Sequence, residues 1–296
     1  MFMTVIITGG TGLLGRYLEK ELKKQNINYK ILSRNPHRNQ ILCDYSFKML
    51  NEILKDGDIL VHLAGSRNPG NSLEDFEQEQ NIFRSILNIT NLYNYKKVIL
   101  ASSISVYSEE ELLPWSEENA TQPKSYYGLN KLLLENEGRI FSNKYKLNLI
   151  SLRFSHLYGF NEKNNYMINY FLRLAFNKKK LTVTGMSNKK RELLYAKDAA
   201  LAIIKVMENN LKDETLNIKG AEILSNIEIA EKINKVFNNN KLEHVDKQIP
   251  DKFNSSFMDG HRALECINYS PQYTFEEGLQ EILLEMEGLN YVPEKY

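Results

Sequence analysis

At 296 residues, 42% apolar and 25% charged, the chain has ordinary globular composition and room for one large domain or a core with a smaller appended one. A formal net charge of +1 gives no reason to expect a nucleic acid or a membrane surface as partner. No apolar run reaches the roughly 18–20 residues that span a bilayer, and the first residues lack a signal-peptide pattern. The two cysteines, Cys43 and Cys266, stand far apart, so a disulfide scaffold and a metal site are not expected and a cytoplasmic setting is. On that reading the Asn-X-Ser/Thr triplets at Asn88, Asn119 and Asn254 carry no meaning.

The chain begins with Thr4-Val5-Ile6-Ile7-Thr8, which reads as a buried strand. Leu14, Leu18 and Leu22 then recur every four residues and give one apolar helix face. Strands are expected at residues 29–33, 59–63, 98–102 and 147–154, with helices from about 73 to 95 and about 126 to 142. Strands alternating with helices imply an α/β fold, a doubly wound parallel sheet of the Rossmann kind. After Tyr158 come a polar turn at 161–165, a helix at 166–177 and a strand at 181–184. A helix at 198–208 and a strand at 215–218 then look like a return to the main sheet. Ser225 with Glu228, and Thr274 with Glu277, have capping-box spacing. The expected division is a dinucleotide-binding core over 1–158 and a smaller, discontinuous substrate-binding domain over 159–296, returning to the core near 181–220.

Thr8-Gly9-Gly10-Thr11-Gly12-Leu13-Leu14-Gly15 lies between the first strand and the first helix. Glycines at 9, 12 and 15 permit a sharp turn, close approach of a pyrophosphate, and tight helix–strand packing, with the phosphates on the helix N-terminus. Leu63 and Ala64, at the end of the strand expected at 59–63, border the same place. The second strand ends at Ser33-Arg34, where NAD-binding chains usually carry an acid for the ribose 2′-OH. A hydroxyl and a cation, with Arg38 nearby, suit a 2′-phosphate and favour NADP over NAD; the alternative is that Arg34 lies on a solvated loop. Asp44 either contacts the adenine or is an ordinary turn residue.

Tyr127 and Lys131 are four residues apart, on one face of the helix opening at Ser125. An ammonium at that distance favours a phenolate, so Tyr127 can exchange a proton with a substrate hydroxyl while Lys131 also holds the nicotinamide ribose. Upstream, Ser102, Ser103 and Ser105 crowd the carboxyl end of the strand at 98–102, where doubly wound sheets bind ligands. A hydroxyl there orients the reacting oxygen, or the segment is simply a polar strand exit.

With the glycine loop, the serine strand and Tyr127-Gly128-Leu129-Asn130-Lys131 in view, the chain resembles the extended short-chain dehydrogenase/reductase family, of the NAD(P)-dependent nucleotide-sugar epimerase and dehydratase type. The likeness continues through Ser151 to Gly159 and Arg191 to Asp198, and weakens after about Gly220. It implies that Ser103 is the catalytic hydroxyl, that Arg191 contacts a nucleotide-sugar diphosphate, and that Asp198 is structural. Arg191 could equally be one more cation of the Lys189-Lys190-Arg191 run. Ile104-Ser105 stands where dehydratases carry Asp-Glu, and Ser105 where epimerase-reductases carry Cys, which argues against both chemistries. His156 replaces an Asn that often contacts the diphosphate, as a substitute donor or as a packed histidine. A second phosphate-binding Arg is missing, with Lys247-Gln248-Ile249-Pro250-Asp251 in its place.

The resemblance therefore implies a 4-epimerase cycle on a nucleotide-activated or related small sugar, with Ser103, Ser105, His156 and Arg191 facing the substrate. An NADPH-dependent keto-sugar reductase is the alternative. A non-catalytic NAD(P)-binding sensor or assembly subunit is a third reading, though such proteins commonly lose the Tyr or the Lys that this chain keeps. Family dimers commonly pair the two helices at 126–142 and 73–95, here through residues 132–134 or 82–92; alternatively those residues pack on the sheet.

Overall fold

The computed structural model of the chain describes residues 3–37, 40–65, 73–162 and 164–295. Strand β1 (Thr4–Thr8) is buried along its whole length, as a central strand covered on both faces must be. Helix α1 (Leu13–Lys24) follows and buries Leu14, Leu18 and Leu22 together with Tyr17. Next come β2 (Asn28–Ser33), β3 (Ile41–Leu42), α2 (Phe47–Leu54), β4 (Ile59–His62), α3 (Leu73–Leu92) and β5 (Lys97–Ser103). Helix α4 (Tyr126–Tyr145), β6 (Leu149–Phe154), β7 (His156–Tyr158), α5 (Met167–Phe176), β8 (Leu181–Thr184) and β9 (Lys190–Tyr195) continue the chain. The remainder is α6 (Ala196–Glu208), β10 (Thr215–Ile218), β11 (Glu222–Ser225), α7 (Asn226–Val236), β12 (Leu242–Val245), α8 (His261–Ile267) and α9 (Phe275–Glu287).

Seven strands form the main sheet in the order β10-β6-β5-β4-β1-β2-β3, every neighbouring pair parallel. The period of two along β1 sorts its side chains between two cores. Val5 and Ile7 pack with Leu14, Leu18, Ala199 and Ile203 on the α1 and α6 face. Ile6 packs with Leu50, Phe83, Ile86 and Leu134 on the α2, α3 and α4 face. The doubly wound expectation therefore holds. Chain direction across the sheet reverses between β1 and β4, and in such sheets the crevice beyond the carboxyl ends of those strands is the ligand site.

Thr215–Ile218 joins this sheet beside β6, as expected. Leu181–Thr184, expected near that return, instead pairs in parallel with Leu242–Val245 in a separate two-stranded sheet. Its alternate burial, Leu181 and Val183 in, Thr182 and Thr184 out, fits a strand packed on one face only. A third sheet has the order β11-β9-β7, and one residue separates its β7 from the end of β6. Both expected capping boxes are formed, Ser225 with Glu228 and Thr274 with Glu277. Of the residues considered for a dimer surface, Phe83, Ile86, Leu87, Ile89 and Leu134 are buried inside the chain's own core. Among the described residues, no helix is long and apolar enough to cross a membrane.

Candidate active site

The glycine loop closes β1 onto α1 at the switch point. Gly12 N–H donates to Gly9 O at 3.1 Å, and Gly9 takes φ = +71°. Gly15 sits so close to the loop that a Cβ there would lie 2.4 Å from Gly10 Cα. Thr11 and Gly12 are exposed, and no side chain caps the N-terminus of α1. Unpartnered N–H groups at a positive helix end, beside backbone no side chain covers, form a cradle that fits a dinucleotide pyrophosphate. Leu13 and Leu14 begin the helix behind it, while Leu63 N–H and Ala64 N–H reach back to Thr8 at 3.1 and 3.5 Å, placing that segment beside Gly9.

At the end of β2, Ser33 is buried and its Oγ accepts from Asn35 N–H, whereas Arg34 is exposed; Arg38 lies outside the described residues. Asp44 accepts the Ser46 N–H at 2.7 Å, a turn role, and that hydrogen bonding holds its carboxyl below the usual range. The sequence reading missed Tyr45, whose hydroxyl donates to Leu32 O at 3.0 Å between the glycine loop and β2.

Helix α4 begins at Ser125, whose Oγ accepts from Gly128 N–H at 3.1 Å. A Cβ on Gly128 would lie 2.2 Å from Ser105 O, so the glycine lets α4 press against the exit of β5. That contact brings Tyr127 and Ser105 to one cleft, with the Lys131 Nζ 5.8 Å from the Tyr127 ring centroid. Lys131 is buried and ion-paired to Glu79 of α3 at 2.9 Å. The three serines separate clearly. Ser102 Oγ donates to the buried Glu135, Ser103 Oγ accepts from Ser105 N–H at 3.1 Å and donates to Ser105 Oγ at 3.2 Å, and Ser105 itself lines the cleft.

The cleft measures about 1010 Å³. Its α4 side carries Tyr107, Trp115 and Tyr127; the opposite wall carries Leu157, Tyr166, Leu193 and Phe253. Arg191 lies on that wall, its guanidinium stacked 3.6 Å from the Phe253 centroid, and burial lowers its basicity from the usual value. It is therefore not part of a solvated run. His156 Nε2 shares a 2.8 Å hydrogen bond with Ser256 Oγ beside it. Neither Phe253 nor Ser256 was legible in the sequence. At the mouth, Lys124 pairs with Glu109 at 3.1 Å and Asn254 donates to the same carboxylate at 2.8 Å.

Burial shifts three further titratable groups. His62, at the end of β4, is held neutral at a pKa of about 3 by burial and then by the Lys131 charge, and its Nδ1 pairs with Thr8 Oγ1 at 2.7 Å. Burial pushes the Glu192 carboxyl up to about 7, next to Arg191 in β9. Asp198 accepts from Gln272 and Tyr273 N–H, yet burial still raises it to about 6, a structural role as expected. Beneath α4, Arg153 of β6 binds Glu135 bidentately and Tyr107 OH in one buried network.

A doubly wound sheet with a phosphate cradle at its switch point, and a Tyr–Lys pair over a cleft at the same edge, defines a dinucleotide-dependent enzyme of the short-chain dehydrogenase/reductase type. The family model described as the NAD dependent epimerase/dehydratase family matches residues 5–218, and the chain belongs to that family. A solved structure of UDP-N-acetylglucosamine 4-epimerase from Bacillus cereus is 38% identical, with 99% of this chain and 100% of that chain covered and a TM-score of 0.93. The dTDP-4-dehydro-6-deoxyglucose reductase of Escherichia coli is 25% identical over 94% of this chain and 96% of its own. UDP-glucuronic acid 4-epimerase from Bacillus cereus in complex with NAD, at 20% identity and TM-score 0.84 over 96% and 99% of the two chains, shares the fold.

Proposed function

We propose that the chain is a nucleotide-sugar 4-epimerase. The observation that carries this reading is the Tyr127–Lys131 pair at the edge of a cleft of about 1010 Å³, with Arg191 on its far wall. The 38% identical relative acts on UDP-N-acetylglucosamine, which makes that sugar nucleotide the first substrate to test. The residues facing the cofactor fit a dinucleotide, which supplies reversible hydride exchange at the sugar carbon when bound. Gly9, Thr11, Gly12 and Gly15 cradle the pyrophosphate, and Lys131 holds the nicotinamide ribose. Tyr127 takes the proton of the 4-hydroxyl and later returns it, while the Ser103–Ser105 hydroxyl pair orients the oxygen. Arg191, with His156 beside it, binds the diphosphate as the sugar turns to present its other face. Residues 1–158 form the cofactor side and share the substrate cleft with the segment from 159 onward, which brings Tyr166, Arg191 and Phe253 to it.

At the adenosine ribose, Ser33 and Arg34 in place of an acid favour a 2′-phosphate, hence NADP, although the family is one of NAD-dependent enzymes. The same Arg34 supports the second reading, an NADPH-dependent keto-sugar reductase. One experiment separates them. Purified protein is denatured to release and identify any dinucleotide, then apo protein is titrated with NADH and NADPH and assayed with UDP-N-acetylglucosamine and with a nucleotide-linked 4-keto sugar. Interconversion with its 4-epimer, without net cofactor oxidation, is expected. Stoichiometric NADPH consumption against a keto sugar establishes the reductase instead. Tyr127→Phe is expected to lose at least about a hundredfold in turnover, and full turnover in that variant would remove Tyr127 from the mechanism.

A further inference from the structure

Lys131 has a buried counter-ion that the reaction as described does not use. Its Nζ meets Glu79 Oε1 at 2.9 Å, with the two side chains 6% and 8% exposed. Glu79 comes from α3, across the helix pair from α4, and the neighbouring Gln80–Asn130 hydrogen bond of 3.1 Å fixes the same contact. A Cβ at Gly65 would lie 2.8 Å from Lys131 Nζ and 2.9 Å from Glu79 Oε1, so the β4 exit closes over the pair.

We infer that Glu79 is a positioning residue for the Tyr127–Lys131 pair, holding the ammonium in place and setting how much of its charge Tyr127 feels. The inference rests on the proposed role of that pair. The titratable and charged groups described around Lys131 are few: Tyr127 on its own helix, Glu79 on α3, and His62 on β4, which stays neutral. Of these only Glu79 carries a charge opposing the ammonium. With Glu79 present, a hydroxyl beside Lys131 senses a dipole rather than a bare cation. Removing the carboxylate takes one opposing charge away from the ammonium in a low-dielectric site, and the phenolate is then favoured further.

The test compares the dependence of kcat on pH for the parent, Glu79→Gln and Glu79→Asp, each checked for folding by circular dichroism. In Glu79→Gln the acid limb, where turnover is lost on protonation, is expected to move to lower pH by about half to one unit, the order expected for one lost charge at an effective dielectric near 20. Glu79→Asp keeps the charge on a shorter arm; its acid limb is expected to stay in place while kcat falls several-fold. A merely structural role lowers the amount of active enzyme without moving the limb. An unmoved limb in a folded Glu79→Gln variant therefore overturns the inference. Where Glu79→Gln is too unstable to assay, Glu79→Asp decides, with turnover counted per dinucleotide-binding site: an unmoved limb with lowered kcat per site upholds it, and a displaced limb, or kcat per site equal to the parent's, overturns it. Tyr127→Phe is assayed alongside, because full turnover in that variant defeats the reading of the pair itself, whatever Glu79 does.

Discussion

The buried network beneath α4 makes a quantitative claim about stability. Arg153 and Glu135 are each 7% exposed. Arg153 Nε and Nη2 donate to the two carboxylate oxygens at 3.0 and 2.8 Å, and Nη1 donates to Tyr107 OH at 2.9 Å. Replacing Arg153 by Met keeps the volume and removes all three donors. Glu135 retains only the Ser102 hydroxyl, and Tyr107 OH, which donates to Asn217 Oδ1, loses its charged neighbour. Breaking one side of a buried, bidentate ion pair costs about 3–5 kcal/mol. With an unfolding entropy of roughly 2.1 cal/mol/K per residue, a chain of this length should lose about 5–8 °C in Tm, read by differential scanning calorimetry.

The cost comes from the orphaned carboxylate and not from the loss of the pair as such. Arg153→Met combined with Glu135→Leu should recover at least half of the lost Tm, since a well-packed apolar pair often matches a buried ionic one. An Arg153→Met variant within about 2 °C of the parent would refute the estimate. So would a double variant no more stable than the single one, which would mean that the network is held by something other than charge compensation.

Three further outcomes follow from the site. Glu192 titrates near 7 because it is buried, so across the window from the ordinary carboxylate range to about pH 7 the folded chain keeps a proton that the unfolded chain has released. Stability then falls as pH rises through that window, and Glu192→Gln should flatten the slope, gaining up to about 2–3 kcal/mol over the parent at pH 8 and nothing at pH 4, by urea unfolding. Asp198, raised to about 6, leaves a smaller slope of the same sign. Gly15→Ala puts a methyl 2.4 Å from Gly10 Cα; it should cost about 1–3 kcal/mol and weaken dinucleotide binding at least tenfold by fluorescence titration, as the loop is forced off the helix. Arg191→Gln should raise KM for the sugar nucleotide about tenfold or more and leave kcat within a few-fold, the pattern of lost uniform binding; a kcat loss at unchanged KM would place Arg191 at the reacting centre instead.

Much of this fold was legible because its signals are local. The leucines of α1 mark their face by spacing alone, and Ser225 and Thr274 announce helix starts through hydrogen bonds that span three residues. The serine exit of β5 and the Tyr127–Lys131 turn were legible for the same reason. The strands β7, β9, β11 and β12 were not singled out, since each has three to six residues and takes its partner from a distant part of the chain. Leu181–Thr184 shows the difficulty well. Its alternation is visible, but nothing near it in the sequence says that Leu242–Val245 lies alongside. Short alternating strands declare a face, and the sheet that receives them is decided by packing elsewhere.

The functional side chains that escaped the sequence reading have a different physical origin. Phe253 and Ser256 act on Arg191 and His156 through contacts made by an irregular segment, so no period could reveal them. Glu79 is another matter, for it sits three residues after Phe76 and four before Phe83, both fully buried, and so shares the apolar face of α3. Amid Glu77, Gln78 and Gln80 it looks like one more solvated polar residue, but its phase on the helix points it inward. An acid in phase with a helix's core residues must find a cation or stay protonated. In this chain the cation available across the helix pair is Lys131, and that is the partner it meets. A buried ion pair often costs stability that apolar residues would have given, and this one stands with its ammonium 5.8 Å from the Tyr127 ring centroid.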